Sequence, residues 1–212
     1  MTYQFGEKSK PNKKSDKSAF TLIEMVTSIS LIVMITAIFM ANYRTGNKRA
    51  DLTMAAQEMV ADIHAAQNNT LGLVKYGTEF PAGGWGVNFD TASSSRYVVF
   101  ADLSQPFSDE PGRMRAADPG SMIYNQDEGE GDTSKGARIV DLPTGIAINS
   151  ISSGSQTISS GNVTFLPPDP TTNIASASGA TSTVLTIVLK DQRDGSIKTV
   201  RVNFLGLAEV ID

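Results

Sequence analysis

The stretch AFTLIEMVTSISLIVMITAIFM, residues 19–40, decides how the rest of the chain is read. From Phe20 it is apolar over about the ~20 residues that a helix needs to cross a hydrocarbon core, and Glu24 is its only charge. A membrane segment is therefore expected. Upstream, residues 1–18 carry Lys8, Lys10, Lys13, Lys14 and Lys17 against Glu7 and Asp16. Basic flanks of this kind stay on the cytoplasmic side, so the C-terminal side of the span is expected to face outward. A secretory signal has a short apolar core followed by a small-residue cleavage site, whereas here the core is long and an acid sits near its start. A carboxylate in lipid is costly enough to mark a functional position; the plainer alternative is a shallow Glu24 snorkelling to the headgroups.

After Met40 the chain turns polar through NYRTGNKR, residues 42–49, and then becomes amphipathic. Leu52, Ala55, Ala56, Met59, Ile63 and Ala66 recur at three- and four-residue spacing, the stripe of a helix with one buried face. No proline occurs between Pro11 and Pro81, so residues 20–72 read as one helix on the order of 80 Å long at ~1.5 Å per residue. Gly46 softens it and Gly72 is the expected stop. Met25, Met34, Met40, Met54 and Met59 lie along this helix, where flexible thioethers fill gaps between subunits or serve ordinary lipid and core contacts.

From Phe80 the period changes to two. Candidate strands are 85–89, 96–101, 137–142, 146–151, 156–159, 162–166, 183–190, 197–204 and 208–211. The clearest hairpin joins the alternating run 184–189 to 197–202 through Asp194-Gly195. The expected fold class is α+β: a long N-terminal helix, transmembrane and then amphipathic, packed against an antiparallel sheet or sandwich head. Trp85, after a Pro-Ala-Gly-Gly run, is expected in the core. Two stretches break the strand pattern. Residues 102–136 are polar, contain Pro106, Pro111 and Pro119, and end in the acidic DEGEGD of residues 127–132. Those acids are of the type that Ca²⁺ takes, but no twelve-residue EF-hand pattern is present, and a solvated acidic loop is the favoured reading. Residues 167–182, rich in Pro, Thr, Ser and Ala, read as an exposed loop.

Composition narrows the function further. The 212 residues, less a membrane helix, leave room for one modest head with a core of its own. Without residues 1–18 the chain's 18 Lys+Arg and 22 Asp+Glu become 13 and 20, a formal charge of −7, which argues against nucleic acid as a general partner. With no cysteine, the head has no disulfides to use. His64 is the only histidine, so zinc would lack its usual N and S ligands; a serine triad would need that same helical residue, and no Gly-x-Ser-x-Gly elbow occurs. His64 is read as a helix-surface or packing residue. GEGDTSKG, residues 129–136, falls short of a phosphate loop because Lys135 lacks a preceding Gly and a following Ser or Thr.

A basic leader, a small residue, then Phe20-Thr21-Leu22-Ile23-Glu24-Met25 and an unbroken apolar helix resembles the class III signal of type IV prepilins and type II secretion pseudopilins. The resemblance implies that prepilin peptidase cuts between Ala19 and Phe20 on the cytoplasmic side and methylates the new N-terminus at Phe20. It makes Glu24 the fifth mature residue and the assembly residue. Ala19 stands where the family usually has Gly. Farther on, Trp85-Gly86-Val87, residues 97–102, an irregular insert, Leu142-Pro143-Thr144-Gly145-Ile146, Val163-Thr164-Phe165 and a closing hairpin at Phe204-Leu205-Gly206 resemble the H-type minor pseudopilins and related minor type IV pilins. Pro168 and Leu207 depart from that pattern, where glycine and arginine are usual.

The implied organisation is a cleaved leader (1–19), a transmembrane assembly helix (20–41), an amphipathic helix half (42–72) and a β-rich head (73–212) with its long loop at 102–136. The implied function is that of a non-enzymatic structural subunit. It starts in the inner membrane as a single-pass protein with an extracytoplasmic head, then enters a pilus or pseudopilus. Its partners would be prepilin peptidase, other pilin or pseudopilin subunits, the inner-membrane assembly platform and the membrane. No cofactor is expected beyond the Ca²⁺ option in the acidic loop. The alternative from another class is a membrane-anchored extracytoplasmic binding module that does not polymerise.

Overall fold

The computed structural model describes residues 21–103, 121–169 and 171–211, with 41–49 and 128 described by backbone alone. The apolar, proline-free stretch forms one helix, α1 (Leu22–Leu71). The chain divides into two compact units, Met1–Arg44 and Thr45–Asp212, and α1 contributes to both. In the first unit Leu22–Met40 is long and apolar enough to cross a membrane and has none of its length buried against protein.

In the second unit α1 supplies one wall of the core. All six residues of the predicted stripe, Leu52, Ala55, Ala56, Met59, Ile63 and Ala66, are buried. Three of them are alanines, which lets backbone approach backbone closely. Among the described residues eleven strands follow: β1 (Gly84–Asp90), β2 (Arg96–Asp102), β3 (Arg138–Asp141), β4 (Ile146–Ser153), β5 (Gln156–Ile158), β6 (Ser160–Leu166), β7 (Thr171–Ser176), β8 (Thr181–Ser182), β9 (Val184–Asp191), β10 (Ile197–Asn203) and β11 (Ala208–Ile211). They form two antiparallel sheets. One has the order β3-β2-β1-β6-β7-β8, the other β11-β10-β9-β4-β5. The twofold alternation is clearest in β9, where Leu185, Ile187, Leu189 and Asp191 point inward and the residues between them are half-buried. A single apolar core joins the helix stripe to Trp85, Val87, Phe89 and Val163 of the first sheet and Ile151, Leu185, Ile187 and Val200 of the second.

The structure corrects the sequence reading in two places. Residues 167–182 are not a plain exposed loop, because they contain β7 and β8, and Ile174 and Ala175 are buried there. TTNIAS carries its apolar residues side by side instead of alternating, which hides a strand that runs from exposed Thr171 through half-buried Thr172 and Asn173 to buried Ser176. The expected helix stop holds, since α1 ends at Leu71 directly before Gly72, and the left-handed residue that closes the end is Leu73 (φ 47°). Val74 N–H reaches Asn69 O and Leu73 N–H reaches Thr70 O, the paired bonds that close a helix C-terminus around a left-handed residue. Second, the acidic segment around 130 is not simply solvated, since Glu130 is fully buried.

Gly84 and Gly206 combine a positive φ with close approach of neighbouring atoms. Gly84 (φ 80°) opens β1 where an added Cβ would stand 1.8 Å from Phe165 O, and Gly206 (φ 80°) turns between β10 and β11 against Thr172, Gln67 and Phe165.

Candidate functional site

Of the predicted processing and assembly residues, Ala19 and Phe20 lie outside the described residues, while Glu24 sits in the first turn of α1. Thr21 Oγ1 accepts the Glu24 N–H at 3.3 Å. The hydroxyls farther along the span are turned back onto their own helix: Thr27 and Ser28 donate to Glu24 O at 3.0 and 2.7 Å, Ser30 to Val26 O at 2.9 Å and Thr36 to Ile32 O at 2.8 Å. Hydroxyls bonded in this way carry no unmet need into lipid. The Glu24 carboxylate is different: among the described residues it has no hydrogen-bond or ionic partner, and its neighbours Leu22, Ile23, Met25 and Val26 are exposed apolar side chains. This span therefore offers a continuous apolar surface with one acid near its start.

In the second unit, charged groups fasten α1 to the strands. Asp62, 5% exposed, accepts the Tyr97 hydroxyl at 2.7 Å on Oδ2 and pairs with Arg138 of β3 through Oδ1. Burial, then the bond to Asp62, pushes the Tyr97 phenol well above its ordinary value of 10. At the other hairpin the buried Asp191 carboxylate holds Arg193 through Nε at 2.9 Å and Nη2 at 2.7 Å, and Arg193 Nη2 lies 3.5 Å from Asp51 of α1. Trp85 is buried as expected: its Nε1 donates to Val74 O at 2.9 Å and its ring meets Tyr76 edge-on at 6.0 Å. Thr70 completes the junction, donating to Phe165 O at 3.0 Å and accepting Trp85 N–H at 2.9 Å.

The acids of the long connection act as acceptors for backbone. Glu130 takes Leu103 N–H at 3.1 Å and Asn125 N–H at 2.7 Å, and Asp102 takes Ser121 and Met122 N–H at 3.2 and 2.6 Å. Carboxylates committed to amide donors are poorly placed to serve as Ca²⁺ ligands, and among the described residues no three His, Cys, Asp or Glu side chains converge as a metal site would require. Asp132 is held below the usual carboxylate range by the Ser134 hydroxyl and amide, with Lys135 nearby. Lys135 lies 5.9 Å over the Tyr76 ring and 3.9 Å from Asp132. His64 lies half-buried on α1. The role of Glu130 was not visible in the sequence, where an acid between glycines in an acidic run carries no local mark of burial.

Scans of protein-family models, of curated proteins and of solved structures returned no match to this chain.

Proposed function

We propose that this chain is a structural subunit, a minor pseudopilin or minor pilin, that is matured by prepilin peptidase and assembled through its N-terminal helix into a type II secretion pseudopilus or a type IV pilus. The observation that carries this reading is Glu24, a lone carboxylate without a partner among the described residues, set four positions after Phe20 in an apolar span whose hydroxyls bond back to their own helix. Cutting before Phe20 creates an α-amino group whose usual pKa, roughly 7.7–8.0, leaves it largely protonated near neutral pH. Glu24 of one subunit then meets the N-terminal amine of a neighbour offset along the filament axis. Either charge alone is penalised in hydrocarbon, so the pair fixes axial register even where its net energy is modest. The two-sheet α+β head with its helix-borne core supports the pilin-like description. The role is one of assembly, with no catalytic step assigned to the chain.

Processing tests the proposal directly. Intact-mass and N-terminal analysis of membrane-extracted protein is expected to show a chain that begins at a methylated Phe20 and keeps the apolar span. A start at Met1, or one downstream of Ala37 or Ala41, contradicts it.

A further inference from the structure

The first sheet has two faces. Trp85, Val87, Phe89, Tyr97 and Val99 face the core. The other face, with Asn88, Phe100 and Asn162, is roofed in part by the segment after residue 121: the Tyr124 ring packs on Phe100 at 5.2 Å, and Tyr124 N–H bonds Asn162 Oδ1 at 3.2 Å. Beside this roof an open groove of about 520 Å³ runs over β1, β2, β3 and β6. That volume lies within the range of small-ligand sites, roughly 300–1,000 Å³.

We propose that this groove is a binding site for a neutral saccharide of one or two rings, an activity beyond the filament role and independent of it. The floor carries Asn88 and Ser160, with Asn88 Nδ2 3.2 Å from Ser160 Oγ and held by a 2.8 Å bond to Asn162 Oδ1. Asn162 is itself fully buried and is not part of the groove lining, so it serves to hold the Asn88 amide in place. Above the floor stand the exposed side chains of Arg96 and Gln126, and the half-buried Asp90 lies at the groove as well. Arg96 makes no ion pair among the described residues, and Asp90 accepts only Ala92 N–H at 2.9 Å. Val98, Ile139 and the Tyr124 ring supply apolar wall.

This combination discriminates between ligand classes. One guanidinium balanced by one carboxylate, in a chain of net charge −4, is a poor cradle for a polyanion. An apolar ligand would leave the Arg, Asn, Gln and Ser groups desolvated and unmet. A sugar ring needs donors and acceptors together around its hydroxyls and an apolar surface for its C–H face, and the groove presents both.

Saturation-transfer NMR on the full chain in a zwitterionic detergent tests the site, because saccharide detergents would compete. The probes are glucose, galactose, N-acetylglucosamine, lactose and maltose, with glucuronate and inorganic phosphate as anionic controls. At least one neutral sugar is expected to receive saturation, and Arg96→Ala and Gln126→Ala are each expected to weaken it about tenfold, the loss of roughly one strong hydrogen bond. Both side chains are exposed, so an unchanged melting temperature shows that the fold is intact. Absence of transfer to every neutral sugar, transfer indifferent to both substitutions, or binding confined to glucuronate or phosphate would overturn the proposal.

Discussion

Asp62 is the residue on which the attachment of α1 to the first sheet most depends, because it is buried and satisfied at once by Tyr97 and Arg138. Replacing it by alanine leaves the Tyr97 hydroxyl buried without its acceptor and frees the half-exposed Arg138. A hydrogen bond to a charged group contributes about 1.5–3 kcal/mol, so Asp62→Ala is expected to lower the stability of the Thr45–Asp212 unit by about 2–3 kcal/mol, and Tyr97→Phe by less. Denaturant melts of the three proteins check this ordering. The same cluster sets an alkaline limit. Tyr97, Tyr76 and Tyr124 all have pKa values raised in the folded protein, chiefly by burial. A phenol whose folded-state pKa lies above its unfolded value stabilises fully below the unfolded pKa of about 10 and loses that contribution as pH rises beyond it. Stability is therefore expected to be flat in this term up to about pH 10 and to fall above it, with the absorbance of tyrosinate from Tyr97 appearing only as the head unfolds. Tyrosinate absorbance assigned to Tyr97, as the difference between wild type and Tyr97→Phe, that appears at pH 10 with the fold intact would contradict the assigned burial.

At the scale of elements, the helix and nine of the strands were legible because their apolar residues keep a single period: three to four in 52–66, two in 184–189. What escaped has a physical reason in each case. β7 holds Ile174 and Ala175 adjacent, and β8 is two residues long, so neither repeats often enough to show a period. Glu130 and Asp102 are acids whose partners are backbone amides, and side-chain pattern cannot announce a backbone partner. At the end of α1 the helix stops directly before Gly72, where the sequence pointed, and the chain places Leu73 in the left-handed conformation one residue later. That conformation costs a non-glycine residue roughly 1–2 kcal/mol. The Leu73 side chain is half-exposed beside a small apolar hollow with Phe80 and Pro167, so it recovers little by packing. Leu73→Gly is therefore expected to raise stability by up to about 1 kcal/mol, an unusual direction for glycine, and a higher midpoint in thermal unfolding would record it. A lower midpoint would show that the apolar contacts of Leu73 outweigh its backbone strain.

For the whole molecule, the absence of cysteine made the fastening of the C-terminal region an open question, and the two-sheet head answers it without covalent bonds. β10 is paired on both sides, with β9 and β11, and the Asp191–Arg193–Asp51 chain ties the β9–β10 hairpin to α1. The apolar span was the most legible feature of the sequence, and the carboxylate within it the most specific. Its role in docking is the central claim, and no other polar group described in the span competes for it, since Thr27, Ser28, Ser30 and Thr36 are already bonded to their own helix. The most direct measurement compares wild type with Glu24→Ala and Glu24→Gln for recovery in sheared filaments and in crosslinked assembly intermediates, with membrane insertion and cleavage before Phe20 followed in the same cells. Insertion and cleavage are expected near wild-type levels, with the variants depleted about tenfold or more from the assemblies, equivalent to a loss of ~1.4 kcal/mol per docking step. Glu24→Ala entering those assemblies at wild-type levels would contradict it and leave Glu24 as a carboxylate that snorkels to the headgroups.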